Sequence, residues 1–254
     1  MTCETAIRDE LVRRGEALLS GPRVEVQFTS PAEANALVND LEGHPHAFVI
    51  ACLMDRTVRT ERAWHIPFAV ATRIGDSSFG AFEQLTEDQI RGILQEDGLH
   101  RHPAPMAQTF RMALDRIGSV YAGDASSIWA GTPSSTRLVL NFLEFSGAGP
   151  KIASMAANIL VRDMKVPVSD RIAIDISADS HVQRVFGRLG ITRENPIEYE
   201  VILRARELNL PYPGVFDLPV WEIGRRWCRV GTPLCGPCTM NHLCPTGRER
   251  LQRD

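Results

Sequence analysis

Leu143-Glu144-Phe145-Ser146-Gly147-Ala148-Gly149-Pro150-Lys151-Ile152-Ala153 sits between two segments whose apolar residues recur at helical spacing. It reads as a hairpin joining two helices through a Gly-x-Gly turn. Two glycines let the backbone turn tightly with no side chain in the way. The amides exposed there, at the start of the second helix, can hold a phosphate. From these residues alone, an ordinary helix–helix turn with a surface lysine is the favoured reading.

Outward from the hairpin, helical spacing continues through most of the chain, and no segment alternates as a strand does. Ser30-Pro31-Ala32-Glu33 reads as a capping box with proline at the first helical position, opening a helix to Gly43. Ala47 to Asp55 predicts a buried helix, and Val58 to Gly75 an amphipathic one. Thr86 with Gln89 forms a second capping box, opening a helix that reaches Glu96. Further helices are predicted over Ala104–Tyr121, Ser134–Phe145, Lys151–Asp163, Ser180–Leu189, Ile197–Leu208 and Phe216–Trp227. Stretches rich in Gly, Pro or charge separate them. The fold class is all-α, with no repeat array and no low-complexity linker.

Composition bounds the function. A chain of 254 residues, 44% hydrophobic and 23% charged, has enough apolar content for a sizeable core, so disordered, collagen-like and fibrous classes are excluded. The longest apolar run, Ala47 to Met54, is too short to span a bilayer. The start, Met-Thr-Cys-Glu-Thr, carries no apolar signal core, so the expectation is a cytoplasmic protein with no membrane partner. A net charge of −3 excludes a uniformly basic nucleic-acid binder. Locally the balance differs: Trp221 to Asp254 holds six arginines against three acids, which suits an anion-binding face or a solvated tail. Of 28 basic residues only Lys151 and Lys165 are lysines. Arginine cannot form a Schiff base and lysine can, so a lysine kept among arginines is a candidate nucleophile.

Cys228, Cys235, Cys238 and Cys244 follow the spacing C-x6-C-x2-C-x5-C. Cys3 and Cys52 are isolated, and Cys52 falls in the predicted buried helix. Four clustered thiols with no export signal favour a metal or cluster over disulfides. One close pair between two singletons suits wrapping a [4Fe–4S] cubane better than the two close pairs usual for structural zinc, and both remain open on spacing alone.

This spacing resembles the cluster loop of the endonuclease III-like DNA glycosylases, of the helix-hairpin-helix superfamily. Ile223-Gly224-Arg225-Arg226-Trp227-Cys228 resembles that family's helix leading to the first ligand. The resemblance implies a [4Fe–4S] cluster held by residues 228–244. It makes Gly147 and Gly149 part of a DNA-gripping hairpin, and puts Lys151 where bifunctional members keep the catalytic lysine. Ser146 departs from the pattern where a proline is common, and Pro150 where a basic residue is common.

Ala178-Asp179-Ser180-His181-Val182-Gln183-Arg184-Val185 resembles the family's aspartate–Thr/Ser–His stretch. The resemblance implies that Asp179 caps a helix and serves as the catalytic carboxylate, with His181 and Arg184 near the DNA. Ile172-Ala173-Ile174-Asp175 offers Asp175 as the alternative carboxylate. In Met54-Asp55-Arg56-Thr57, Arg56 and Thr57 replace the small residue and glutamine usual in members acting on oxidised pyrimidines. Arg56 is therefore the candidate to fill the gap left by a flipped base. Arg229 is the only basic residue between Cys228 and Cys235.

The implied architecture is two helical lobes with a cleft between them. Residues 31–150 would form a central helical barrel ending in the hairpin. Residues 1–30 plus 151–254 would form the second lobe with the cluster loop. The implied activity is base-excision repair: a monomer removing a damaged base, an oxidised pyrimidine, from double-stranded DNA and cutting the abasic strand as an AP lyase. Two alternatives stay open. One is a monofunctional glycosylase in which Asp179 activates water; the other is a non-catalytic DNA-binding iron-sulfur protein.

Overall fold

In the computed structural model, which describes residues 3–252, one helix is surrounded by others on every side. This is Pro45–Met54, whose ten residues are all buried. Its sequence, PHAFVIACLM, is apolar all round and so cannot lie on a surface. Thirteen α-helices and no strand occur among the described residues. In chain order they are α1 (Cys3–Ser20), α2 (Ala32–Asn39), α3 (Pro45–Met54), α4 (Thr60–Ile74), α5 (Phe79–Glu83), α6 (Glu87–Glu96), α7 (Pro103–Val120), α8 (Ser135–Leu143), α9 (Pro150–Asn158), α10 (Ser180–Leu189), α11 (Glu198–Leu208), α12 (Asp217–Arg226) and α13 (Pro245–Leu251).

The chain divides into two compact units. The larger comprises residues 23–133 and 137–167. Here α3 packs against α2, α4, α7 and α9. Trp64 of α4 is fully buried, stacked on Phe28 at 3.7 Å and edge-on to Phe48 at 5.7 Å. Phe48 in turn meets Trp129 and Phe142 edge-on, so one aromatic chain links five segments. The extended stretch before α2 is held by two buried asparagines. Asn35 accepts from the amides of Phe28 and Thr29, and Asn39 accepts from Val26 and donates back to its carbonyl. An extended strand with no sheet partner needs such side-chain partners for its backbone.

The other unit comprises residues 3–22, 134–136 and 168–252. In it α1 packs on α12 and on the 3-10 turn Pro213–Phe216. A Cβ on Gly15 would lie 2.1 Å from the Val215 carbonyl oxygen, so only glycine allows this approach. Gly224 plays the same part between α12 and α10, where a Cβ would meet that of His181 at 2.8 Å.

Most expected helices form, with local differences. The capping box at Thr86 and Gln89 is present. The one expected at Ser30 and Glu33 is not: Pro31 is the N-cap, no side chain caps the helix, and α2 ends at Asn39 rather than Gly43. The segment expected as one helix over Lys151–Asp163 finishes in a π-helical turn, Ile159–Asp163, which carries the buried Arg162–Asp163 ion pair. Neither α5 nor α13 is evident from periodicity, being only five and seven residues long. Residues 151–167 belong to the larger unit, where α9 packs on α3. Residues 1–2 and 253–254 of the expected second lobe lie outside the described residues.

Candidate active site and cysteine loop

The hairpin of the larger unit is built from α8, a turn and α9. Phe145, 2% exposed, anchors the turn by stacking on Tyr121 at 6.2 Å. The Ala148 amide donates to the Phe145 carbonyl at 3.0 Å and closes the turn. Gly147 has φ +85°, which L side chains rarely adopt. Gly149 is the N-cap of α9 in an extended conformation, with open space where a Cβ would stand. Pro150 follows at the first helical position, where a missing N–H costs nothing. Lys151 comes next, exposed, in the first turn of α9, where amides lack intrahelical partners.

Arg56 comes to this turn from the loop after α3. Its Nη1 lies 2.8 Å from the point a Gly147 Cβ would occupy, and Thr109 of α7 closes the other side at 3.0 Å. Thr57, exposed beside it, has φ +58°, an uncommon conformation for a β-branched residue. His100, 4% exposed, donates from Nε2 to the Arg56 carbonyl at 2.9 Å, and its Nδ1 accepts from the His102 amide at 3.1 Å. Both nitrogens are thus assigned in the neutral ring, and burial lowers its pKa. Sequence reasoning missed His100; its only signal is a histidine in the loop before α7.

In the other unit Asp179 is the N-cap of α10. Its Oδ1 accepts from the amides of His181 and Val182 at 2.8 and 2.9 Å. Oδ2 has no hydrogen-bond partner among the described residues. Asp175 is differently placed: both its oxygens accept from Arg206, at 2.7 Å each. A carboxylate held bidentately by a guanidinium makes a strong, geometrically fixed pair.

Within the unit, Arg184 donates to the carbonyls of Cys228 at 2.6 Å, Ser180 at 3.0 Å and Gly224 at 3.1 Å, and to His181 Nδ1 at 2.9 Å. Its guanidinium bolts α10 to the start of the cysteine loop, and His181 is engaged by the same group. Arg229 stays exposed, while its carbonyl accepts from Arg188 at 2.7 Å.

Cys228, Cys235, Cys238 and Cys244 line one cavity with Leu189 and Trp227. Burial pushes the thiols of Cys238 and Cys244 up, and the neighbouring cysteines push them further. Four mutually repelling sulfurs become thiolates together only around a positive group, and this donor set fits an iron-sulfur cluster. Arg188 Nη1 donates to Cys228 Sγ and the Gly247 amide to Cys244 Sγ, each at 3.4 Å. Among the described residues, no group of three His, Cys, Asp or Glu side chains stands ready to hold a single metal ion. No helix there is long and apolar enough to cross a membrane.

No family model matches the chain. It is 31% identical over 209 residues to the Endonuclease III of Synechocystis sp., covering 80% of this chain and 82% of that protein. It is 24% identical over 217 residues to the Endonuclease III of Thermotoga maritima, covering 84% and 88%. A trapped endonuclease III–DNA covalent intermediate, an estranged-adenine complex, superposes with TM-score 0.63 at 17% identity, covering 99% of this chain and 100% of that one. A thermostable thymine-DNA glycosylase superposes with TM-score 0.61 at 14% identity, covering 95% and 97%. At these identities the structural likeness speaks for the fold alone.

Proposed function

The chain belongs to the endonuclease III family of helix-hairpin-helix DNA glycosylases, and we propose that it is a bifunctional member, excising an oxidised pyrimidine from duplex DNA and then cutting the abasic strand. Base-excision repair is the established part; the lyase step, the lesion class and the residue roles are our reading. The observation that carries it is Lys151. This is one of two lysines in the chain, exposed, in the first turn of the helix after the glycine turn. Lys165, the other, has its Nζ donating to the Arg162 carbonyl at 2.6 Å, and burial lowers its pKa.

In this mechanism the hairpin amides and nearby arginines hold phosphates, which supplies salt-dependent affinity. The damaged nucleotide is flipped out of the stack, at a cost of a few kcal/mol that is least for damaged bases. Asp179 stabilises positive charge growing on the sugar as the glycosidic bond breaks and its electron pair leaves with the base. Its unpartnered Oδ2, with Oδ1 fixed by two amides, supports that role. The neutral amine of Lys151 bonds to C1′ and the sugar ring opens to a Schiff base. Loss of a C2′ proton then expels the 3′ phosphate, and water releases the enzyme. Arg56, beside Gly147, fills the gap opposite the extruded base.

Cys228, Cys235, Cys238 and Cys244 would hold a [4Fe–4S] cluster that acts as a structural clip, since base excision transfers no net electrons. The enzyme works as a monomer on double-stranded DNA in the cytoplasm. Borohydride trapping tests the reading. A covalent adduct with an oxidised-pyrimidine duplex, lost in Lys151→Arg, supports it. Base release without trapping in the wild type returns the monofunctional alternative with Asp179-activated water.

A further inference from the structure

We propose that His100 is a positioning residue for excision, clamping the Arg56–Thr57 peptide so that Arg56 stays aimed across the hairpin. The inference rests on the reading of Arg56 as the gap-filling residue. Arg56 is exposed, and a mobile loop there would lose backbone conformational entropy on meeting DNA. The structure counters this at the backbone. The Arg56 amide donates to the Met54 carbonyl at 2.7 Å, and its carbonyl accepts from His100 Nε2 at 2.9 Å. The next residue, Thr57, is held at φ +58°. Such strain in a β-branched residue persists only where surroundings over-determine it. His100 supplies the bond that crosses from another element: it is 4% exposed and sits in the loop between α6 and α7.

The clamp works in one protonation state. Neutral His100 donates from Nε2 and accepts at Nδ1 from the His102 amide. A proton on Nδ1 would face that N–H and break the second bond. The groups facing the ring are His102 and Arg101 of its own loop and Arg56 opposite, all of which disfavour the added proton, alongside burial. The clamp is therefore intact at neutral pH and opens in acid. Glutamine at this position carries a donor and an acceptor on one amide and does not titrate.

The test is equilibrium binding to a duplex with a tetrahydrofuran abasic-site analogue, with the same single strand as reference. His100→Ala should weaken duplex binding about tenfold or more, the scale of a misplaced positioning group, with the single strand little changed. In an Arg56→Ala background, His100→Ala should add little, because it acts through Arg56. His100→Gln should bind as wild type near neutrality, and wild type should weaken relative to it as the pH falls from about 8 to about 5. The inference is overturned if Arg56→Ala weakens duplex binding and His100→Ala does not. Equal His100→Ala losses with and without Arg56, or a constant Gln-to-wild-type ratio across the pH range, overturn it too. An Arg56→Ala protein that binds duplex normally instead sinks the gap-filling reading itself, and the clamp falls with it. Should His100→Ala fail to fold, the Gln pH comparison still decides.

Discussion

Arg56 Nη1 stands 2.8 Å from where a Gly147 Cβ would be, so the loop after α3 and the hairpin share one contact surface. The two hairpin glycines are unequal. Gly147 needs its left-handed φ, while the Arg56 tip that a Cβ would meet can swing aside. Gly149 has no such need for folding. Gly147→Ala should destabilise the protein by about 1–3 kcal/mol, the range for a non-glycine residue held in the left-handed region. Gly149→Ala should melt as wild type, and any affinity it loses reports close approach of backbone to phosphate. Thermal denaturation with salt-dependent duplex binding reads both. A Gly147→Ala protein as stable as wild type would contradict the strain at this φ.

Lys151→Arg keeps the charge and should bind abasic duplex nearly as well, yet borohydride trapping and strand nicking should vanish. Lys165→Arg should trap normally. If Lys165→Arg is the variant that fails to trap, the nucleophile has been misassigned.

The two aspartates should separate by readout. Asp179→Asn keeps the α10 cap, since Asn caps about as well, but should slow base release by about a hundredfold or more. Asp175→Asn breaks a partly exposed pair with Arg206, so it should cost at most about 1 kcal/mol of stability and leave base release near wild type. Single-turnover excision and denaturant melts on both variants decide; the reverse pattern would move the catalytic role to Asp175.

Cys238→Ser should give colourless protein with iron and sulfide lost and a loosened 228–244 loop, because ligand loss unties the fold around it. Arg188→Met removes bonds to Cys228 Sγ and the Arg229 carbonyl, and should speed cluster loss in air without preventing assembly. Metal analysis of anaerobically prepared protein checks both. One zinc per chain and no iron would overturn the cluster.

Acid should weaken the larger unit before carboxylates titrate. Burial lowers His46 to about 4 and lowers His100 as well. Each is neutral when folded and takes a proton more readily when unfolded, so its contribution is full above about pH 6.5 and declines below it. For His46 the loss approaches about 3 kcal/mol as pH falls toward 4. His46→Gln should flatten the stability profile between these limits. A wild-type melting curve unchanged from pH 7 to about 4.5 would refute it.

Periodicity and caps placed α3, α6 and α10 almost to the residue, because those helices follow from local spacing, proline and N-cap chemistry. The cysteine spacing and the hairpin motif were equally legible, being contiguous in the chain. Short elements such as α5 were not, since five residues carry too little pattern to stand apart from a turn. Arg184 illustrates the limit at the site. An arginine in the second turn of a helix beside a candidate carboxylate reads as a phosphate contact, and nothing local says that three backbone carbonyls also accept from it.

By itself the sequence determined an all-helical chain, a glycine hairpin with a lysine at its exit, and four thiols spaced for a cluster. Each of these is a property of neighbours along the chain. Tertiary structure alone decided which carboxylate keeps an open oxygen, that Arg56 lies over Gly147, and that His100 holds the Arg56 carbonyl. Those relations join residues far apart in the chain. The Arg56 relations depend on how α3, α7 and α9 pack, and the Asp175–Arg206 pair on how α10 and α11 pack, and so on burial energy summed over each unit's core rather than on any local propensity.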